Sequence, residues 1–192
     1  MATQSARTDG DLRRGRPDLR DSGASSRLLR YRLDVLAVDA TDAARSVGGW
    51  LFDRAMAGWQ VNVLVADARD TRPMQILGAT VLDLGVALES VVADPEHAAG
   101  LAVSAAALAD ERVHDGVADL LRSGRTEVAM WGGHWPHRFG GADAVGYRLS
   151  AAARVFKAHA MVAAGIDTPV GASERMRRGG YRPIDSDLVP ID

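Results

Sequence analysis

Residues 45–67 read RSVGGWLFDRAMAGWQVNVLVAD, and within them an amphipathic run hands over at Gly58 to an almost unbroken apolar one. Val47, Leu51, Ala55 and Met56 recur at helical spacing, whereas the run that follows is short, rich in valine and the right length for a strand covered on both faces. A helix feeding a buried strand is the repeating unit of a layered α/β domain. Such units carry cofactor enzymes, nucleotide switches and binding modules alike, so this stretch decides the fold and leaves the activity open.

Working outward, residues 31–39 (YRLDVLAVD) alternate and then turn apolar, which predicts a strand. Thr41 or Asp42 suits the N-cap of the following helix, and Gly58 its end. Residues 60–66 form the second strand. After the turn at residues 70–73, MQILGATVLDL reads as a third strand interrupted at Gly78, followed by a helix over 84–92 that Asp94 and Pro95 close. A fourth strand is expected over 101–106, and Asp110 caps a helix whose Val113, Val117, Leu120 and Leu121 share one face. Residues 126–131 give a fifth strand. Residues 144–164 then read as the longest helix, turning Leu149, Ala152, Ala153, Phe156, Ala160 and Val162 inward and ending at Gly165.

The expected architecture is a three-layer α/β domain over residues 28–166, with a mainly parallel sheet of four to five strands and helices on both faces. Residues 1–27 mix Arg, Asp, Ser and Gly with too few apolar side chains to offset their ordering entropy, and predict a flexible N-terminal tail. Residues 167–192 predict an extended C-terminal tail that docks locally through Tyr181, Ile184 and Leu188. The 192 residues suit one domain, and 47% hydrophobic content with only 5% aromatic side chains implies a thin core of small residues.

Composition removes several chemistries. Cysteine is absent, so disulfides, thiolate metal sites and a cysteine nucleophile are excluded. A net charge of -2 supplies no global field for nucleic acid or an acidic membrane. No run approaches ~20 apolar residues, and the expectation is a cytoplasmic protein with no membrane partner. Lys157 is the sole lysine, so lysine chemistry has one candidate.

The richest candidate site is the loop 131–141, WGGHWPHRFGG, which follows a strand and so lies at the edge where parallel sheets bind ligands. His134 and His137 suit proton transfer, Arg138 suits a carboxylate or phosphate, and Trp131, Gly132 and Gly133 suit a flat wall approached closely by backbone. Asp39 and Asp67, at strand ends, complete the ligand-binding set. No metal is expected: Pro136 separates the histidines and no third ligand is marked. The first helix N-terminus, VDATDAARSVGG, lacks both the lysine of a P-loop and the GxGxxG spacing of a dinucleotide turn, so neither phosphate mechanism nor a cofactor is expected. Gly48 and Gly49 instead suit close packing of the helix on a strand. No GxSxG accompanies Ser104, although Ser104, His134 and Asp67 are the residue types of a Ser-His-Asp set.

Near the C-terminus Arg175, Arg177, Arg178, Tyr181 and Arg182 form a basic and aromatic cluster suited to a partner surface, while Arg148, Arg154, Lys157 and His159 read as a solvated helix face. Residues 55–67, AMAGWQVNVLVAD, are similar to the second βα step of many nucleotide-binding α/β proteins. That resemblance implies a Rossmann-like or degenerate RecA-like scaffold without the phosphate loop. The leading expectation is a non-catalytic binding or regulatory module acting through a protein partner. Two alternatives stand beside it: a small-molecule hydrolase or transferase using the 131–141 loop, and a nucleic-acid accessory protein using the terminal arginines.

Overall fold

Alternating apolar segments build the expected layers. The computed structural model describes residues 31–93, 100–184 and 186–191. The tail expected over residues 1–27, and the closure at Asp94 and Pro95, lie outside them. Strand β1 (Arg32–Leu36) leads into helix α1 (Ala40–Met56), strand β2 (Gln60–Val65), helix α2 (Arg72–Ile76), strand β3 (Thr80–Asp83) and helix α3 (Leu84–Ala93). Strand β4 (Gly100–Ser104), helix α4 (Glu111–Ser123) and strand β5 (Glu127–Trp131) complete the parallel part. Strand β6 (Asp143–Arg148), helix α5 (Ala151–Ala163), strand β7 (Ser173–Gly180) and strand β8 (Val189–Pro190) follow.

The described residues form one eight-stranded sheet, ordered β3-β2-β1-β4-β5-β7-β6-β8. Its first five strands are mutually parallel, and β7 enters antiparallel between β5 and β6. On one face α1, α2 and α5 bury Val47, Leu51, Met74, Leu77, Ala153 and Ala160. On the other, α3 and α4 bury Leu84, Leu88, Val113 and Val117. The three-layer α/β architecture with helices on both faces therefore holds, while four to five strands becomes eight.

Three differences have physical causes. Residues 144–164 are not one helix: 143–148 pair with β7, and α5 starts only where the Ser150 hydroxyl accepts the Ala153 N–H at 2.9 Å. A short mixed strand, DAVGYR, whose partner lies some 30 positions away carries no local mark of its pairing. Residues 173–180 belong to the sheet rather than to an extended tail, because two of the charged side chains that suggested exposure, Glu174 and Arg178, are paired inside it. The third segment divides, with Pro73 in the first turn of α2 and β3 beginning only at Thr80, after Gly78 at φ +74°. The cap of α1 also moves upstream: Asp39 accepts the Asp42 N–H at 2.7 Å.

Gly49 packs closest where α1 meets the entry to α5. A Cβ there would lie 2.2 Å from Leu149 Cδ2 and 2.6 Å from its Cγ, so the whole side chain would have to move. Gly49→Ala gains roughly 1 kcal/mol of helix propensity but incurs overpacking of about 1–3 kcal/mol. The expected outcome is a net loss of stability in urea unfolding, with a lower midpoint and an unchanged slope.

Candidate functional site

Strands β1, β4 and β5 end side by side, with Leu36 opposite Val103 and Ser104 opposite Trp131. Helix α1 starts at that same edge. Asp39 is occupied there by its capping bond, whereas the Asp42 carboxylate faces the end of β5. The Trp131 indole N–H donates to Asp42, with both carboxylate oxygens at 3.2 Å, and the Ser46 hydroxyl donates to Oδ1 at 3.3 Å. Trp131 is buried and Asp42 half-buried, so two donors fix this carboxylate while it still reaches solvent.

The loop beyond β5 divides between structural and open groups. Trp135 donates its indole N–H to the Gly140 carbonyl at 3.1 Å and packs edge-on against Phe139. Arg138 turns to α4, where it pairs with Asp115 at 2.7 Å and, as the largest influence, holds the Asp115 carboxyl below its ordinary value. The His134 and His137 side chains are exposed, and neither imidazole makes a hydrogen bond or ion pair among the described residues. Gly132 adopts φ +80° with open space where a Cβ would lie. The Gly132 and Gly133 amides have no backbone acceptor among the described residues. Asp67, at the end of β2, is bound by Arg69, and Ser104 is buried at the end of β4.

The structure therefore joins Trp131 to Asp42 and sets Asp39 at the same edge, while Arg138 and Asp67 each hold a partner of their own. The C-terminal arginines also separate. Arg178 is buried on β7, between β5 and β6, donating to the Leu188 carbonyl at 3.0 Å and lying 3.6 Å from Glu127 and 3.7 Å from Asp143. Arg182 pairs with Asp143 at 2.6 Å, and Arg175, Arg177 and Tyr181 are exposed.

A second cluster adjoins Asp42 and was not apparent from sequence. Lys157 is not on a solvated face: it lies on the buried stripe of α5 with Ala153, Ala160 and Met161, its ammonium 2.6 Å from Glu174. Glu174 also accepts the N–H groups of Gly49 at 2.8 Å and Trp50 at 2.9 Å, entering α1 in mid-helix. Burial pushes the Glu174 carboxyl above its ordinary value, opposed by Lys157 and by the two amides. Around this pair the structure leaves a cavity of about 280 Å³, lined by Arg45, Ser46, Lys157, Ser173, Glu174 and Arg175 among others. The available signals were a sole lysine spaced with buried alanines, and Ser46 one turn after Asp42.

No family model and no curated protein matches this chain. Solved structures do. The zinc-inhibited form of teicoplanin deacetylase Orf2 superimposes with a TM-score of 0.57 at 12% identity, covering 81% of this chain and 100% of that one. The A40926 pseudoaglycone deacetylase Dbv21 gives 0.51 at 14% identity over 70% of this chain and 81% of its own. GalB, the 4-carboxy-2-hydroxymuconate hydratase of Pseudomonas putida KT2440, gives 0.53 at 10% identity over 81% and 98%. At these identities the likeness is one of fold. It corrects the expectation of a non-catalytic regulatory, protein-binding module, because the proteins that share this architecture along most of their length are enzymes. Among the described residues no helix is long and apolar enough to cross a membrane.

Two measurements check this geometry. Lys157→Met leaves the Glu174 carboxylate buried without its counter-charge, and the expected loss in urea unfolding is roughly 3–5 kcal/mol, largely restored when Glu174→Gln is added. The Arg69 hydrogen bond lowers the Asp67 carboxyl from its ordinary 3.8 to about 2. The small stabilisation from this exposed pair is complete above 3.8 and disappears as pH falls through about 2. Carboxyl-detected NMR titration should place Asp67 there in the native chain and return it toward 3.8 in Arg69→Ala.

Proposed function

We propose that this chain is a small-molecule hydrolase that cleaves an acyl linkage at the carboxyl edge of its parallel strands, with Asp42 as the general base. The observation that carries the reading is the Asp42 carboxylate, oriented by Trp131 and by Ser46, which in turn lines the neighbouring cavity. The deacetylase neighbours favour an acetyl group as the acyl part, and an amide linkage to it is the form proposed here.

The chemistry follows from the groups at the edge. Asp42 takes a proton from a water whose oxygen attacks the acyl carbon, and the amides of Gly132 and Gly133 receive the negative charge that develops on the carbonyl oxygen. The C–N bond then breaks. His134 or His137 of the loop gives a proton to the departing nitrogen, leaving a carboxylic acid and an amine, and solvent carries the proton held by Asp42 back to that imidazole. The residues present do not fit a metal centre, since among the described residues no three His, Cys, Asp or Glu side chains gather to hold an ion. The proton transfers therefore rest on Asp42 and the loop.

The test is acetate release from a panel of N-acetylated amino acids and amino sugars by the purified full chain. Asp42→Asn should lower kcat by about 10²–10⁴-fold with the thermal transition retained, Trp131→Phe by less, and the joint His134→Ala, His137→Ala variant should also lower it. A panel that yields no acetate, or an Asp42→Asn chain as active as the parent, overturns the reading.

A further inference from the structure

Helices α3 and α4 cover the part of their sheet face that carries Leu101, Val103, Val128 and Met130, but the same face of β7 and β6 stays open. Alternation along β7 turns Glu174, Met176 and Arg178 inward, toward α1 and α5, and Ser173, Arg175 and Arg177 to the open side. Strand β6 follows the same register. Val145 and Tyr147 lie inward opposite Met176 and Glu174, while Ala144, Gly146 and Arg148 stand opposite Arg177, Arg175 and Ser173. Arg148, Arg175 and Arg177 are all exposed, and none of the three guanidiniums has a carboxylate partner among the described residues. Arg178 and Arg182, by contrast, are matched by Glu127 and Asp143.

Positions two apart on a strand are separated by about 7 Å. Arg177, Arg175 and the Arg148–Ser173 pair therefore mount three guanidiniums in a row at that interval. Their floor is flat, because Ala144, Gly146 and Ser173 are small. Ile191 lies over Gly146, where a Cβ would come within 3.1 Å of its Cγ2, and Trp135 lies over Gly179, where a Cβ would come within 2.5 Å of the indole Cζ2. An aliphatic and a half-buried aromatic side chain thus border the row. The acids of these two strands do not neutralise it: Glu174 is turned inward to Lys157, and Asp143 to Arg178 and Arg182.

We propose that this open half of the sheet face docks a single-stranded nucleic acid, with Arg148, Arg175 and Arg177 on its phosphates. A row of unpaired cations calls for a repeating anion, and the topology selects a nucleic acid over an acidic peptide. Strand β7 lies between β5 and β6, and β8 pairs with the far side of β6, so the arginines have no free strand edge at which a peptide adds main-chain bonds. A floor of small residues also lacks pockets for peptide side chains. Phosphates need only guanidinium forks, and bases need only a guanidinium plane or an indole face on which to stack. A chain of net charge -2 attracts such a strand through a local patch alone. Nothing in this inference rests on the hydrolase reading.

The experiment is a fluorescence anisotropy titration of labelled oligothymidylate with the full chain. Three phosphate contacts predict a slope of log affinity against log salt of about -2, so that raising salt from about 50 to 200 mM weakens binding roughly twentyfold. Arg148→Met, Arg175→Met and Arg177→Met should each flatten that slope by about 0.7, and the triple variant should lose binding with its thermal transition retained. Arg154→Met, which alters an exposed arginine of α5, should bind as the parent does. Polyglutamate of equal charge should bind at least about tenfold more weakly than the oligonucleotide. The proposal is overturned if oligothymidylate does not bind, if its binding is indifferent to salt, or if the triple variant binds unchanged and so assigns the contact to arginines elsewhere. Polyglutamate binding as tightly as oligothymidylate overturns the choice of nucleic acid and makes the partner an acidic polypeptide.

Discussion

The Glu174 carboxylate is the constraint on which the rest of this structure depends. It is buried in the seventh strand and is held by one ammonium, from Lys157, and two mid-helix amides, from Gly49 and Trp50. An isolated buried carboxylate costs several kcal/mol, so the strand, the first helix and the fifth helix are fixed in the one arrangement that supplies all three donors. The glycine at position 49 is part of the same constraint. Its missing side chain admits Leu149 and brings the helix amides within reach of the carboxylate.

A core dominated by alanine and valine makes such polar fastening consequential. Small side chains bury little area each, so the antiparallel half of the sheet gains its attachment from ionic and hydrogen-bonded cross-links as well as from packing. Arg178 links Glu127, Asp143 and the Leu188 carbonyl across β5, β6 and the last segment. Asp53 accepts from the Tyr147 hydroxyl and from Ser150, tying α1 to the β6–α5 junction, and burial followed by that bond raises the Tyr147 hydroxyl above its ordinary value. Arg54 pairs with Asp187, so the C-terminal segment is fastened to the opposite end of α1 from Asp42.

These cross-links also explain what was legible beforehand. The five parallel strands announce themselves because a strand covered on both faces is apolar at every position, as QVNVLV and EVAMW nearly are. The edge that carries Trp131 and Asp39 follows from that topology. Strand β7 does not announce itself: its inward positions are Glu174, Met176 and Arg178, and only the methionine looks like a core residue. Periodicity reads apolar against polar, and a polar side chain satisfied by a partner far away in sequence registers as exposed. The same blindness hid Lys157 and with it the cavity. The histidines and Arg138 were legible as residue types, but the turn of Arg138 to Asp115 depends on α4, 23 positions upstream.

One face of α1 unites scaffold and site. Asp42, Ser46 and Gly49 stand at positions i, i+4 and i+7 and therefore share a stripe. The first holds the carboxylate proposed to act on water, the second touches both that carboxylate and the cavity, and the third receives Glu174. Because a helix is stiff over two turns, the geometry of Asp42 relative to Trp131 is set by how Glu174 seats the middle of the helix. The buried ion pair thus acts on the site without touching a reacting atom, by fixing the angle at which α1 presents Asp42 to the carboxyl edge. A small core that relies on polar fastening has little room to separate the two roles, and here a single helical stripe bears both.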